Sequence, residues 1–311
     1  GGATTVQRRR LALALGLSAL LAIGVWVAGL GSDEQSGAGA AEAARAKVSL
    51  PQLPGGGRTI FPRHRIVAFA GNPQDEELGV LGIGSPATAV RKLRRQAAAY
   101  ARRTRPVLPA LELISSVAAA APGAAGDHVI RADFSTIDRY LRAARKAKAL
   151  LLLDIQPGLV DFPSEVKRLQ KYLIQPDVGV ALDPEWRVQP GQIPGQVIGS
   201  VTAAEVNLAS EYVAQLVYHN HLPEKLFVVH QFTEGMVTQP EQLVKRPGLA
   251  MVFNVDGVGA RPNKVSKYRS LAAAKPQFRH GFKLFYKEDT GLMKPGGVMA
   301  LTPRPDLVIY E

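Results

Sequence analysis

The chain has 311 residues, no cysteine, an aromatic share of 6% and a formal net charge of +12. That length fits one large α/β domain or two small ones. The lack of cysteine excludes disulfides, a thiolate zinc site and a cysteine nucleophile, and basic clusters without interleaved aromatic residues argue against nucleic acid as a partner.

The first element in chain order is Arg8-Arg9-Arg10 followed by an uncharged apolar run from Leu11 to Leu30. Basic residues before an apolar run of bilayer length describe a membrane anchor or a signal peptide, with the rest of the chain outside the cytoplasm. Small-residue sites at Ala38-Gly-Ala40, Ala41-Glu-Ala43 and Ala44-Arg-Ala46 keep cleavage open. Residues 31–59 are rich in Gly, Ala, Ser and Pro, and read as a flexible linker.

From residue 60 to 311, strand-like apolar runs alternate with helix-like segments. The expected strands are Arg65–Gly71, Val107–Ile114, Ala149–Ile155, Val178–Asp183, Leu226–Gln231, Ala250–Val255, Phe282–Tyr286 and Leu307–Tyr310. Between them fall a basic helix Ala87–Arg103 and a helix Ser135–Lys148 with Ser135 at its N-cap. Asp161–Ile174 follows, then Thr202–Asn220 with Thr202 and Glu205 spaced as a capping box, Pro240–Val244 and Lys264–Ala274. The crossover from Thr290 to Pro305 holds Pro and Gly and reads as short or irregular.

Eight strands joined by helical crossovers over about 250 residues predict an α/β fold of the (β/α)8 TIM-barrel type. The competing open doubly wound sheet normally carries a glycine-rich phosphate loop after its first strand. Phe69-Ala-Gly71-Asn72-Pro73 lacks that fingerprint, so no dinucleotide cofactor is expected, nor any other cofactor.

A barrel builds its site at the carboxyl ends of its strands. Those ends carry Asn72, Glu112, Asp154 with Gln156, Asp183 with Glu185, His230 with Gln231, Asn254 with Asp256, and Lys287 with Glu288. In an extended strand Asp183 and Glu185 share a face, because side chains alternate. Gly-x-Ser-x-Gly is absent, which disfavours a serine hydrolase. Paired carboxylates suit glycoside hydrolysis, where one acid protonates the leaving oxygen and a second attacks or activates water. Glu185, Asp183 and Asp154 are the candidate catalytic residues. Asn72, Glu112, Gln156, Trp186, His230, Gln231, Asp256 and Glu288 are the candidate substrate-binding residues, with Trp186 placed to stack on a sugar. No metal site is expected: His219-Asn-His221 has a spacing that does not put both rings on one helical face.

With Glu185 at the end of strand four and Glu288 past strand seven, the chain resembles glycoside-hydrolase-type (β/α)8 barrels over roughly residues 60–311. In retaining barrel glycosidases these positions hold the acid/base and the nucleophile, so the resemblance implies those roles. That group usually has Asn before the strand-four glutamate, where this chain has Pro184. Asp183-Pro-Glu185 is also similar to the end of the acidic strand-four signature of chitinase-like barrels, whose earlier part is replaced here by Gly179-Val-Ala181. The expected function is an exported glycoside hydrolase-like barrel acting on a cell-wall or extracellular polysaccharide, tethered to the membrane by its N-terminal segment or secreted. The alternatives are a non-catalytic carbohydrate-binding barrel and a metal-dependent hydrolase using Asp154, Asp183, His230 and Asp256.

Overall fold

The computed structural model describes residues 49–311. The expected anchor or signal segment at 1–30, and the linker up to residue 48, lie outside the described residues. Among the described residues, no helix is long and apolar enough to cross a membrane.

Eight parallel strands form a closed barrel: β1 (Arg65–Gly71), β2 (Val107–Ala118), β3 (Leu150–Ile155), β4 (Val178–Leu182), β5 (Lys225–Gln231), β6 (Leu249–Val255), β7 (Arg279–Leu284) and β8 (Leu307–Tyr310). Each pairs with the next in sequence, and β8 pairs with β1, so the sheet has no free edge among these strands. Short side elements decorate the rim. Val129–Arg131 runs antiparallel to the end of β2, and Val201–Thr202 pairs with Val237–Thr238.

The connecting helices are α1 (Pro86–Ala98), α2 (Phe134–Lys146), α3 (Phe162–Arg168), α4 (Gln170–Leu173), α5 (Ala203–His219), α6 (Arg261–Ala273) and α7 (Pro295–Met299). Helix α1 shows how the pattern works: Ala89, Leu93 and Ala97 face the core at helical spacing, while Arg91, Arg94 and Arg95 face solvent. Helix α2 starts one residue before the expected Ser135, with Asp133 in the N-cap position. In α5 the Thr202 hydroxyl accepts from the Glu205 amide as a capping box requires. The Glu205 carboxylate does not return the bond; it accepts instead from the Phe162 amide and Arg187. The helical parts of the crossover after β5 are single 3-10 turns, at Glu234–Met236 and Pro240–Gln242.

Two apolar layers result. One, which includes Leu93, Tyr140, Val206, Tyr268 and the outward residues of the strands, lies between barrel and helices. The other fills the barrel with Ile66, Ala68, Ala110, Leu152, Ala181, Val228, Val252 and Ile309. Leu53, Ile60 and Phe61 belong to this inner cluster. Within residues 51–59, expected as linker, Leu53 is therefore buried while Gln52, Gly55 and Thr59 are exposed. Glu224, just ahead of β5, accepts from the Ile60 and Phe61 amides, and Arg58 donates to the carbonyls of Pro51 and Leu222. The segment covers the amino-terminal end of the barrel.

Candidate active site

The site follows from strand alternation. Reading inward positions toward the carboxyl end, Leu108 and Ala110 lead to Glu112, Leu150 and Leu152 to Asp154, Leu226 and Val228 to His230, and Ala250 and Val252 to Asn254. The same count takes Gly281 to Lys283 on β7 and Ile309 to Glu311 after β8. The apolar interior thus gives way to one charged layer at the level where substrates bind in this fold.

A cavity of about 330 Å³ opens there, lined by Asp154, Gln156, Asp183, Glu185, Trp186, Phe232, Asp256, Lys283, Phe285 and Glu311 among others. Asp183 and Glu185 both line it, though not by strand alternation. β4 ends at Leu182, and Pro184–Trp186 form a 3-10 turn with Asp183 before its first residue. Gly199 pins that turn: its amide donates to the Glu185 carbonyl at 2.6 Å, and a Cβ at 199 would stand 2.6 Å from the same oxygen. Arg187 pairs with Glu205 at 3.1 Å, not with Glu185.

Behind the cleft, His230 is fully buried. Its Nδ1 lies 2.8 Å from Asp256 Oδ2, and its Nε2 lies 3.3 Å from Glu112 Oε1. The second pair is close but not aligned for a hydrogen bond, for among the described residues Nε2 and both Glu112 oxygens have no hydrogen-bond partner. Asn254 also donates to Asp256. Lys283 Nζ lies 2.7 Å from Glu311 and 3.4 Å from Asp256.

These surroundings drive the acids apart. Burial, followed by the charge of Asp256, pushes the Glu185 carboxyl up to about 6. Burial pushes Asp154 up to about 7 against the pull of His230, and burial with neighbouring Asp154 raises Asp183 well above the usual range. Asp256 goes the other way: burial opposes its charge, but His230 and Lys283 outweigh it and hold the carboxyl below its ordinary value. For His230, burial is likewise outweighed, and Asp256 and Glu112 hold the imidazole well above its ordinary value.

Several expected site residues stand elsewhere. Asn72 is buried and spent on the loop, with its amide donating to the Ile114 carbonyl and its oxygen accepting from the Gln74 amide. Gln231 faces away from the barrel interior, opposite to His230. Gln156, by contrast, does line the cleft, while accepting from the Ala118 amide. Glu288 is exposed and does not line the cleft, because β7 begins at Arg279 and ends at Leu284, leaving Glu288 four residues beyond it. The inward rim residue of β7 is Lys283. Lys283 and Glu311 stand outside the candidates that strand ends offer; alternation counted from Gly281 and Ile309 finds them.

No protein-family profile and no curated protein matches this chain. Among solved structures it is similar to 2,3-dimethylmalate lyase, a PEP mutase/isocitrate lyase superfamily member, at 12% identity and a TM-score of 0.45, over 81% of this chain and 77% of that one. It is similar to a GH5 xyloglucan-specific endo-β-1,4-glucanase from a metagenomic library at 10% identity and 0.42, over 78% and 86%. It is also similar to a GH18 chitinase from Pseudoalteromonas aurantia at 12% identity and 0.38, over 82% and 93%. The strand register, not these likenesses, defines the class: a closed (β/α)8 barrel with an acidic cleft at its strand ends. The solved barrels it is similar to include glycoside hydrolases, and no specific family is identified.

Proposed function

We propose that this protein is a glycoside hydrolase-like enzyme acting on polysaccharide, in which Glu185 is the proton donor and Asp256 the ionised partner. The observation that supports this is the opposite displacement of two carboxyls around one cleft. Glu185 keeps its proton to about pH 6, as a general acid for a leaving oxygen must, while Asp256 is held charged by His230 and Lys283. Environments that push paired acids apart assign the acid and the base. Asp256 takes the part that the family resemblance implied for Glu288. Trp186, Phe232 and Phe285 supply aromatic surface for sugar rings around the opening. The basic residues and apolar run before residue 31 support action outside the cytoplasm, on a cell-wall or extracellular glycan.

The test is hydrolysis of a panel of cell-wall glycans by the full chain and by Glu185→Gln and Asp256→Asn. Each substitution is expected to lower kcat by about 10²- to 10⁴-fold, the usual span for losing an acid or base. Undiminished hydrolysis by Glu185→Gln removes it from the mechanism. Glycan binding without turnover in the unsubstituted protein favours the non-catalytic alternative.

A further inference from the structure

Three residues below the cleft are not explained by acid/base work. Glu112, Asp154 and His230 each offer a ligand atom, and these atoms all lie within 4.8 Å of one another. Glu112 and His230 are fully enclosed, and Asp154 is only 1% exposed. Yet among the described residues neither Glu112 oxygen, nor Asp154 Oδ1, nor His230 Nε2 has an aligned hydrogen-bond partner, and the cation paired with Glu112 is His230 itself, 3.3 Å away. Enclosing a carboxylate without donors is costly unless a cation meets it. Among the described residues the layer carries more acids than cations: Glu112, Asp154, Asp183, Glu185, Asp256 and Glu311 stand with Lys283, His230 and, at the cleft lining, Lys267.

We propose that Glu112, Asp154 and His230 bind one divalent first-row transition-metal ion, Zn²⁺ or Mn²⁺, at the floor of the cleft. Two ligands of a tetrahedral ion with bonds of about 2.0–2.1 Å stand about 3.4 Å apart. His230 Nε2 and Glu112 Oε1 are separated by 3.3 Å without being aligned to share a proton. The other ring nitrogen is fixed in the way metal-bound histidines are, with Nδ1 donating to a carboxylate, here Asp256 at 2.8 Å. Asp256 is held in turn by Asn254 and Lys283. One imidazole and two carboxylates without a thiolate suit these ions, and binding displaces any proton from Nε2. Asp154 also lines the cleft, so a water or a substrate oxygen reaches the ion from that side. This differs from the expectation of no metal, and from the alternative set of Asp154, Asp183, His230 and Asp256, which lacks Glu112.

The experiment uses the full chain, stripped with a chelator and titrated with Zn²⁺ and Mn²⁺ by calorimetry, with bound metal counted by elemental analysis. One equivalent per chain is expected. Glu112→Gln and His230→Gln abolish it, and Asp256→Asn weakens it about 10- to 100-fold, as loss of an orienting carboxylate does. The double variant His219→Ala, His221→Ala, which removes an exposed pair of rings, retains it. X-ray absorption of the zinc-loaded unsubstituted protein is expected to report one imidazole and oxygen ligands, and this readout stands even where a variant fails to fold. Absence of stoichiometric binding, or its loss on removing His219 and His221 only, overturns the site. No glycan enters the measurement, so its failure leaves the Glu185 reading standing, and a failure of hydrolysis leaves the ion standing.

Discussion

Glu185 carries a pH signature that separates its environment from its role. Its folded value of about 6 lies above its ordinary 4.5. The native state therefore holds the proton that the unfolded chain has released across that interval. The stability tied to this group is fully present below about pH 4.5 and is lost as pH rises through 6. We expect a contribution on the order of 1 kcal/mol after solvent screening. Urea unfolding at pH 4.5 and pH 7 measures it: the drop between the two should be smaller in Glu185→Gln. If Glu185 donates the proton, kcat/KM of the unsubstituted enzyme also declines above about pH 6. A stability slope unchanged by the substitution places the titrating group elsewhere.

At the scale of elements, glycines set the positions of the charged side chains. A Cβ on Gly281 in β7 would stand 2.2 Å from the Asn254 amide oxygen, and Asn254 bonds Asp256. Gly281→Ala is expected to cost about 1–3 kcal/mol, the usual penalty for overpacking, which calorimetry reads as a fall in Tm of several degrees. Gly199→Ala acts on the turn after β4. It should lower kcat by displacing Glu185 while changing Tm less than Gly281→Ala does; equal activity would show that the turn repacks around the added methyl. The strands themselves were legible because barrel strands are apolar on both faces, and runs such as Leu150–Leu153 end abruptly in a polar residue. β7 was harder to read. Arg279-His280-Gly281 does not look apolar, so the apolar run begins three residues after the strand does, which hides Lys283 and promotes Glu288. The turn Pro184–Trp186 was hidden for another reason: its geometry depends on Gly199, which lies far along the chain. Strand-end position alone does not tell an inward from an outward residue, which is why it sets Gln231 beside His230.

At the scale of the whole molecule, the inner cluster depends on a segment that composition describes as linker. Pro51-Gln-Leu-Pro-Gly-Gly-Gly57 has turn chemistry, but Leu53, Ile60 and Phe61 anchor it by burial. Ile60, with no exposed surface, is the direct probe. Ile60→Ala is expected to cost about 2–5 kcal/mol. Chemical denaturation should show that loss without a change in glycan or metal affinity at the opposite end; a parallel loss of binding would mean that the two ends are coupled.

That covering also fixes the traffic through the barrel. Among the described residues, Leu53, Ile60 and Phe61 pack over one end of the barrel, and the cleft beside Trp186 opens at the other. Entry through that cleft imposes order: the occupant that arrives first departs last. An ion seated on His230 would be locked in by a sugar lying over it, and a chelator should strip it more slowly once the cleft is filled.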